Sequence, residues 1–242
     1  MIDATTTHVM RTASLTLKVD RDAVWTYAAN HSEVIDAHWK MALAANPRFF
    51  NGIVHVLKAL TFEGDHIAGT VLPTGFKNFL YWRDEGFPAE ARVQDVFGSA
   101  LIRSREGHVI LGRQRPGNIN EGQAYLPGGF IDPRDVTPQN TIDVRASVAR
   151  EVAEETGLDD SVLTASTGFV VTHAPPHVSF AVPYTSSMSA AELCERIKAH
   201  IAAEADPELA EPVVLTSPAD MEGRAVTHYA RILLSSPLAW QP

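Results

Sequence analysis

The sequence is poor in cysteine, short of positive charge and free of long apolar runs. Cys194 is the only cysteine in 242 residues, which excludes an internal disulfide framework and any Cys-rich zinc site. Basic side chains number 20 against 29 acidic ones, a net charge of −9 with His neutral. Non-specific nucleic-acid binding needs a basic footprint, so nucleic acid is not an expected partner. No stretch approaches the ~18 uninterrupted apolar residues of a spanning helix, so no membrane partner is expected. The opening Met1-Ile-Asp-Ala-Thr-Thr-Thr-His has no basic region ahead of an apolar one. No secretory leader is expected, and a soluble, cytoplasmic protein is the default reading.

What is present fits a globular chain. Apolar residues make up 45% and charged residues 20%, close to average usage. The length suits one large domain or two small ones, with enough chain to bury a core unaided. Residues 13–19 alternate as a strand, and the pattern turns helical from Val24 to about Ala45, where Pro47 stops it. Residues 53–62 and 66–73 read as a hairpin around Glu63-Gly64-Asp65, followed by a short helix after Gly75. The polar, Gly/Pro-punctuated stretch 84–90 leads to an expected domain boundary near residue 94.

The second part reads as strands at 96–102 and 108–111, and a short strand ending at Leu126. A helix from about Asn140 to Thr156 follows, then β segments near 162–173 and 177–183. A helix at 189–204, a strand at 212–216 and a helix at 224–234 complete it. Short strands mixed with few helices predict an α+β fold, not a doubly wound sheet.

The chemistry concentrates in Gly128-Gly129-Phe-Ile-Asp132-Pro-Arg-Asp135 and Arg150-Glu151-Val-Ala-Glu154-Glu155-Thr-Gly157-Leu158. At 100° per residue, Glu151, Glu154 and Glu155 fall within about 100° on one helical face. Val144, Val148 and Val152 form an adjoining apolar ridge. Gly157 stands where a helix needs a left-handed residue past its end, so the acids occupy the last turn. That is the unfavourable end for anions in the helix dipole, and the three carboxylates repel one another. Arg150 offsets part of that cost, and a hard divalent cation such as Mg²⁺ offsets more.

These two segments resemble the box of the Nudix hydrolases: Gly, five residues, Glu, seven residues, then Arg-Glu-apolar-x-Glu-Glu-x-Gly-apolar. The second half matches at every specified position from Arg150 to Leu158. The first half matches as Gly129, five residues, Asp135, with Asp replacing Glu. The spacer, Val136 to Ala149, holds 14 residues instead of seven. Either Asp135 or Asp143 takes the first acid's role beside Arg150. The resemblance implies a Nudix α/β/α sandwich with a mixed sheet over residues 95–242, preceded by a small N-terminal α/β domain over 1–94.

It also implies water attack on a nucleoside diphosphate linked to another moiety, assisted by Mg²⁺, with Mn²⁺ as the alternative. Carried over, Glu151, Glu154 and Glu155 are the metal and base candidates. Gly129 offers a carbonyl to the metal, and Arg150 orients the acids.

Other residues carry less specific signals. Arg113 and Arg115, at a strand end before the box, are candidate phosphate contacts. Glu204, Glu208 and Glu211 are candidates for a distal-loop acid, and the sequence does not choose among them. His173 and His177 flank Ala-Pro-Pro and read best as surface histidines at a rigid hairpin tip, with a base or sugar contact as the alternative. Cys194 reads as a partly buried structural thiol. Trp25, Trp39, Phe49, Phe50, Tyr81 and Trp82 read mainly as core or interdomain packing.

Trp39 with Asn46-Pro47-Arg48-Phe49-Phe50-Asn51-Gly52 resembles the N-terminal region of UDP-sugar diphosphatase-like Nudix proteins. The expected substrate is therefore a nucleotide sugar such as UDP-glucose or UDP-galactose, cleaved to a nucleoside monophosphate and a sugar 1-phosphate. The alternatives are ADP-ribose, a dinucleotide, or a ligand-sensing module without turnover. The N-terminal domain has two readings, a lid over substrate or a homodimer interface.

Overall fold

The structure is a computed structural model that describes residues 6–241. Most of the opening segment read for a leader, Met1 to Thr5, lies outside them. Among the described residues no helix is long and apolar enough to cross a membrane.

The strands are β1 (His8–Thr12), β2 (Ser14–Val19), β3 (Ile53–Glu63), β4 (His66–Gly75), β5 (Gln94–Arg103), β6 (Val109–Gln114), β7 (Ala124–Tyr125), β8 (Thr164–Ala165), β9 (Phe169–Ala174), β10 (His177–Thr185) and β11 (Leu209–Leu215). The helices are α1 (Thr26–Asn30), α2 (Ser32–Ala45), α3 (Phe76–Asp84), α4 (Val144–Thr156), α5 (Ala190–Ala203) and α6 (His228–Ser235). The strands join one sheet in the order β1-β9-β10-β5-β3-β4-β2, with β6 branching from β5 toward β7 and β11. The sheet is mixed: β10 and β5 run parallel, as do β2 and β4, and the other pairs are antiparallel.

The expected hairpin forms between β3 and β4, with Gly64 at positive φ in its turn. The expected first helix divides at His31 into α1 and α2. Strand β1 had no clear sequence signal. It forms by pairing with β9, a partner more than 150 residues away in the chain. Strands on both sides of residue 94 pair directly, Val56 with Asp95 for example.

One core packs the valine ridge of α4, with Leu193 and Ile197 of α5, against the sheet. A second places Tyr229, Leu233 and Leu234 of α6 against Leu101, Leu111 and Val170. The third is aromatic: Trp25, Tyr27, Phe76, Phe79 and Trp82 are buried around α1 to α3, with Trp39 and Phe49 partly buried beside them. Phe50 departs from the packing expectation, for its ring is 78% exposed. Cys194 is buried in α5, and burial pushes its thiol pKa up, away from reactivity.

Helix α4 starts later than the periodicity predicts. Asn140 holds a positive φ and so belongs to the preceding turn, while the Asp143 carboxylate accepts from Ala146 N–H and caps the helix at 3.0 Å. The helix ends at Gly157, whose φ of 68° is the left-handed cap that the sequence predicts.

Helix α4 is set on the sheet by a close approach at Gly98 of β5, where a Cβ would come 2.5 Å from Val148 Cγ2. Gly98→Val is therefore expected to lift α4 and destabilise the fold by about 1–3 kcal/mol, read by urea denaturation. Wild-type stability would show that the helix can shift freely.

Candidate active site

The site begins with the loop that follows β7. Asp132 and Asp135 flank a single turn of 3-10 helix, and Asp135 is buried under the start of α4. Asp135 Oδ1 accepts from Arg150 Nη2 at 2.9 Å. Its Oδ2 accepts from Ser147 Oγ at 2.9 Å and from Asp132 N–H at 3.0 Å. Asp135 is thus the acid that holds Arg150, and Asp143 is the helix cap. Arg150 Nη2 also lies 3.2 Å from Glu151 Oε1 and 3.7 Å from Asp132 Oδ2. The guanidinium fixes where the Glu151 carboxylate sits.

Glu151 rests directly over Gly129, where a Cβ would run into the carboxylate. One turn further on, Glu155 is 5% exposed. Its oxygens accept from Tyr125 Oη at 2.7 Å and Gly128 N–H at 3.2 Å. Glu154 lies apart from these two. It is exposed at the edge, 3.6 Å from Arg134 Nη1, while Arg134 also holds Asp132. The shared helical face read from the spacing is therefore divided, with Glu151 and Glu155 inward and Glu154 at the rim.

Glu208, from the loop before β11, joins the two inward acids on the lining of a cavity of about 910 Å³. Its Oε1 accepts from Gln114 Nε2 at 2.9 Å. The other distal acids stay away: Glu211 pairs with Arg113 at 2.8 Å, and Glu204 lies 3.6 Å from His200.

Burial is the largest influence on Glu151, Glu155 and Glu208 and raises each pKa. Glu151 is pushed up to about 7 by burial, held back by Arg150 and raised further by Glu154, Glu208 and Asp135. Glu155 is pushed well above the carboxylate range by burial and by Glu208 and Glu151, against the Tyr125 and Gly128 hydrogen bonds. Glu208 is raised by burial and by Glu154, and lowered by Gln114.

Among the described residues no three His, Cys, Asp or Glu side chains are already drawn together as a metal ligand set. The donor chemistry nevertheless fits a hard divalent cation. Mutually repelling carboxylates share a cavity with few cations, beside a glycine whose missing Cβ gives Glu151 its place.

The structure does not bring Arg113 or Arg115 to this cavity. Side chains alternate along β6, and Gln114 takes the cavity side. Arg113 is held by Glu211 and the Gly122 carbonyl, and Arg115 by the Pro207 carbonyl. The histidines also separate. His173 is 1% exposed, not a surface residue, because β9 is covered by β1 on one side and β10 on the other. His177 opens β10, faces the cavity and pairs with Asp95 at 2.9 Å.

Tyr125, Ser147 and Gln114 escaped the sequence reading. Tyr125 stands just before Leu-Pro-Gly-Gly, and Ser147 one turn before Arg150, so their nearness to the box was the available signal. Gln114 had none.

The segment 46–52 walls the cavity from the other side. Asn46 Nδ2 donates to the Gly117 carbonyl at 2.7 Å, and Arg48 pairs with Asp206 at 3.2 Å. These contacts tie it to the loops beside β6 and Glu208. Phe50 and Ile53 form its exposed apolar lip.

The NUDIX domain model matches residues 94–233, and the chain belongs to the Nudix family. Solved structures with a similar fold include the MutT protein from Methanosarcina mazei Go1, 21% identical with a TM-score of 0.39 over 59% of this chain and 91% of that one. Another is the Nudix hydrolase RenU from M. smegmatis, 14% identical with a TM-score of 0.40 over 59% and 82% of the two chains. A third is the bifunctional NMN adenylyltransferase/ADP ribose pyrophosphatase from Francisella tularensis, 12% identical with a TM-score of 0.38 over 59% and 40%. A search of the curated proteins finds no match.

Two predictions follow from the geometry. Asp135→Asn leaves Arg150 without its buried partner and is expected to cost about 3 kcal/mol in denaturant unfolding. Asp143→Asn, which keeps a capping side chain, is expected to cost under about 0.5 kcal/mol. Equal costs would contradict the assignment. For pH, folded Glu151 binds its proton up to about 7, while the unfolded chain releases it near the ordinary value of 4.5. The folded state holds more protons in that window, so stability is expected to fall as pH rises from 4.5 to 7. Glu151→Gln should flatten the slope of unfolding free energy against pH, and an unchanged slope would show that Glu151 titrates normally.

Proposed function

We propose that this enzyme hydrolyses a nucleoside diphosphate linked to a second moiety, with a nucleotide sugar such as UDP-glucose or UDP-galactose as the favoured substrate. The observation that carries the reading is the shared cavity. The box acids line one part of it, and the first 94 residues supply much of the opposite wall. About 910 Å³ is room for a substrate with a group on each side of its diphosphate.

In this reading Glu151, Glu155 and the Gly129 carbonyl would hold a divalent cation, Mg²⁺ or Mn²⁺, with Glu154 a further candidate at the rim. When bound, the cation neutralises diphosphate oxygens and makes water a better nucleophile. Arg150, braced by Asp135, orients Glu151. Tyr125 and Gly128 N–H orient Glu155. Glu208, with its pKa raised, accepts a proton from the attacking water at its carboxylate. The cation is needed on electrostatic grounds, because an acidic cavity repels a diphosphate. Arg134, 3.6 Å from Glu154 at the rim, and Arg48, on the lining contributed by the first 94 residues, replace Arg113 and Arg115 as phosphate candidates. The sugar preference rests on the likeness of segment 46–52, and the lid reading of the first 94 residues is preferred to the dimer reading because that segment lines the cavity.

The test is a phosphate-release panel with Mg²⁺ and a coupled phosphatase, run on UDP-sugars, ADP-ribose, dinucleotides and nucleoside triphosphates. UDP-sugars are expected to be preferred. The paired change Glu154→Gln and Glu155→Gln is expected to lower turnover at least about 10²-fold. Preference for ADP-ribose would overturn the sugar reading and leave the diphosphatase. Full turnover in the paired variant would overturn the roles given to these acids.

A further inference from the structure

The cavity has a polar corner that the hydrolytic residues do not use. Arg83 at the end of α3 spends its Nε on Asp84 at 3.0 Å, and its buried Nη1 has no hydrogen-bond partner. On the same cavity lining, the Asp95 carboxylate lies 2.9 Å from His177 Nδ1. Asp95 engages Nδ1 alone, and Nε2 accepts or donates according to where the ring carries its proton. Phe87 connects the two sides. Its N–H donates to the Trp82 carbonyl at 2.9 Å, and its ring lies 5.1 Å from that of His177. Arg83, Asp84, Phe87, Asp95 and His177 all line the cavity.

The charges and shapes select among ligands. One guanidinium beside two carboxylates gives no net positive field, so the corner is not built for a phosphate. Phe87 and Phe97 meet the His177 ring at 80° and 67°, so neither phenyl can sandwich a flat base against the imidazole. A guanidinium, an imidazole nitrogen and carboxylate oxygens beside apolar ring faces suit hydroxyl groups, each of which both donates and accepts. We propose that this corner is the subsite for the glycosyl group of the substrate, with Arg83, Asp95 and His177 as specificity-determining contacts. The assignment deepens the nucleotide-sugar reading and rests on it.

The test compares kcat/KM for a UDP-sugar with that for the same nucleoside diphosphate carrying a hydroxyl-free alkyl ester. The sugar-to-alkyl ratio is expected to fall at least about tenfold in Arg83→Gln and in His177→Gln, and less in Arg83→Lys, which keeps a donor. UDP-sugars lacking one sugar hydroxyl, given to the unaltered chain, are expected to lose at least about tenfold for one or more positions, a result that depends on no variant folding. Calorimetric binding of the UDP-sugar to Glu155→Gln, with and without Arg83→Gln, reads the same contact without turnover. Unchanged ratios in folded variants together with indifferent deoxy-sugars would overturn the subsite while leaving the nucleotide-sugar reading intact. Cleavage of another diphosphate, with no binding of UDP-sugars, would overturn both.

Discussion

Carboxylates buried together on the last two turns of one helix are the constraint around which the rest of this structure is arranged. Glu155 is buried with only a tyrosine hydroxyl and one backbone N–H donating to it, and Glu151 is half-hidden over a glycine. Burial and mutual repulsion both raise their pKa values. Left alone, such acids would take up protons or turn outward. The fold prevents the second outcome by packing the valine ridge of α4 on the sheet and by bracing Arg150 with Asp135. A chain of restraint thus runs from a buried aspartate through an arginine to an acid that lines the cavity.

The same logic explains why the first 94 residues are joined to the rest by shared sheet and by loop contacts. Segment 46–52 hydrogen-bonds the loop after β6 and pairs with the one before β11, the loop that delivers Glu208. The wall facing the acids and the placement of the distal acid are therefore coupled. Helix α3 contributes both to the aromatic core and, through Arg83, to the cavity lining. The first 94 residues thereby become part of the cavity wall.

Local chemistry was legible in the sequence, and long-range geometry was not. The spacing of Glu151 and Glu155 and the glycine at 157 predicted a helix end, because both depend only on helical periodicity and φ. The choice between Asp135 and Asp143 stayed open, since either can reach Arg150 by chain length. It was decided by burial and by the capping role of Asp143. Arg113 and Arg115 were misplaced because alternation along a strand tells which residues share a face but not which face meets the cavity. Glu208 could not be singled out from Glu204 and Glu211 without the loop's path, and β1 could not be read without its distant partner. His173 and His177 looked equivalent around Ala-Pro-Pro. Burial between two neighbouring strands separated the first from the second.

The central claim is that these raised carboxylates form a cation site that exchanges protons for metal. Calorimetric titration of Mg²⁺ into the full chain at pH 7, in two buffers of different ionisation heat, tests it most directly. The account predicts saturable binding with release of about one proton or more, seen as a heat that changes with the buffer. Binding without proton release, or no binding at millimolar Mg²⁺ and Mn²⁺, would contradict it.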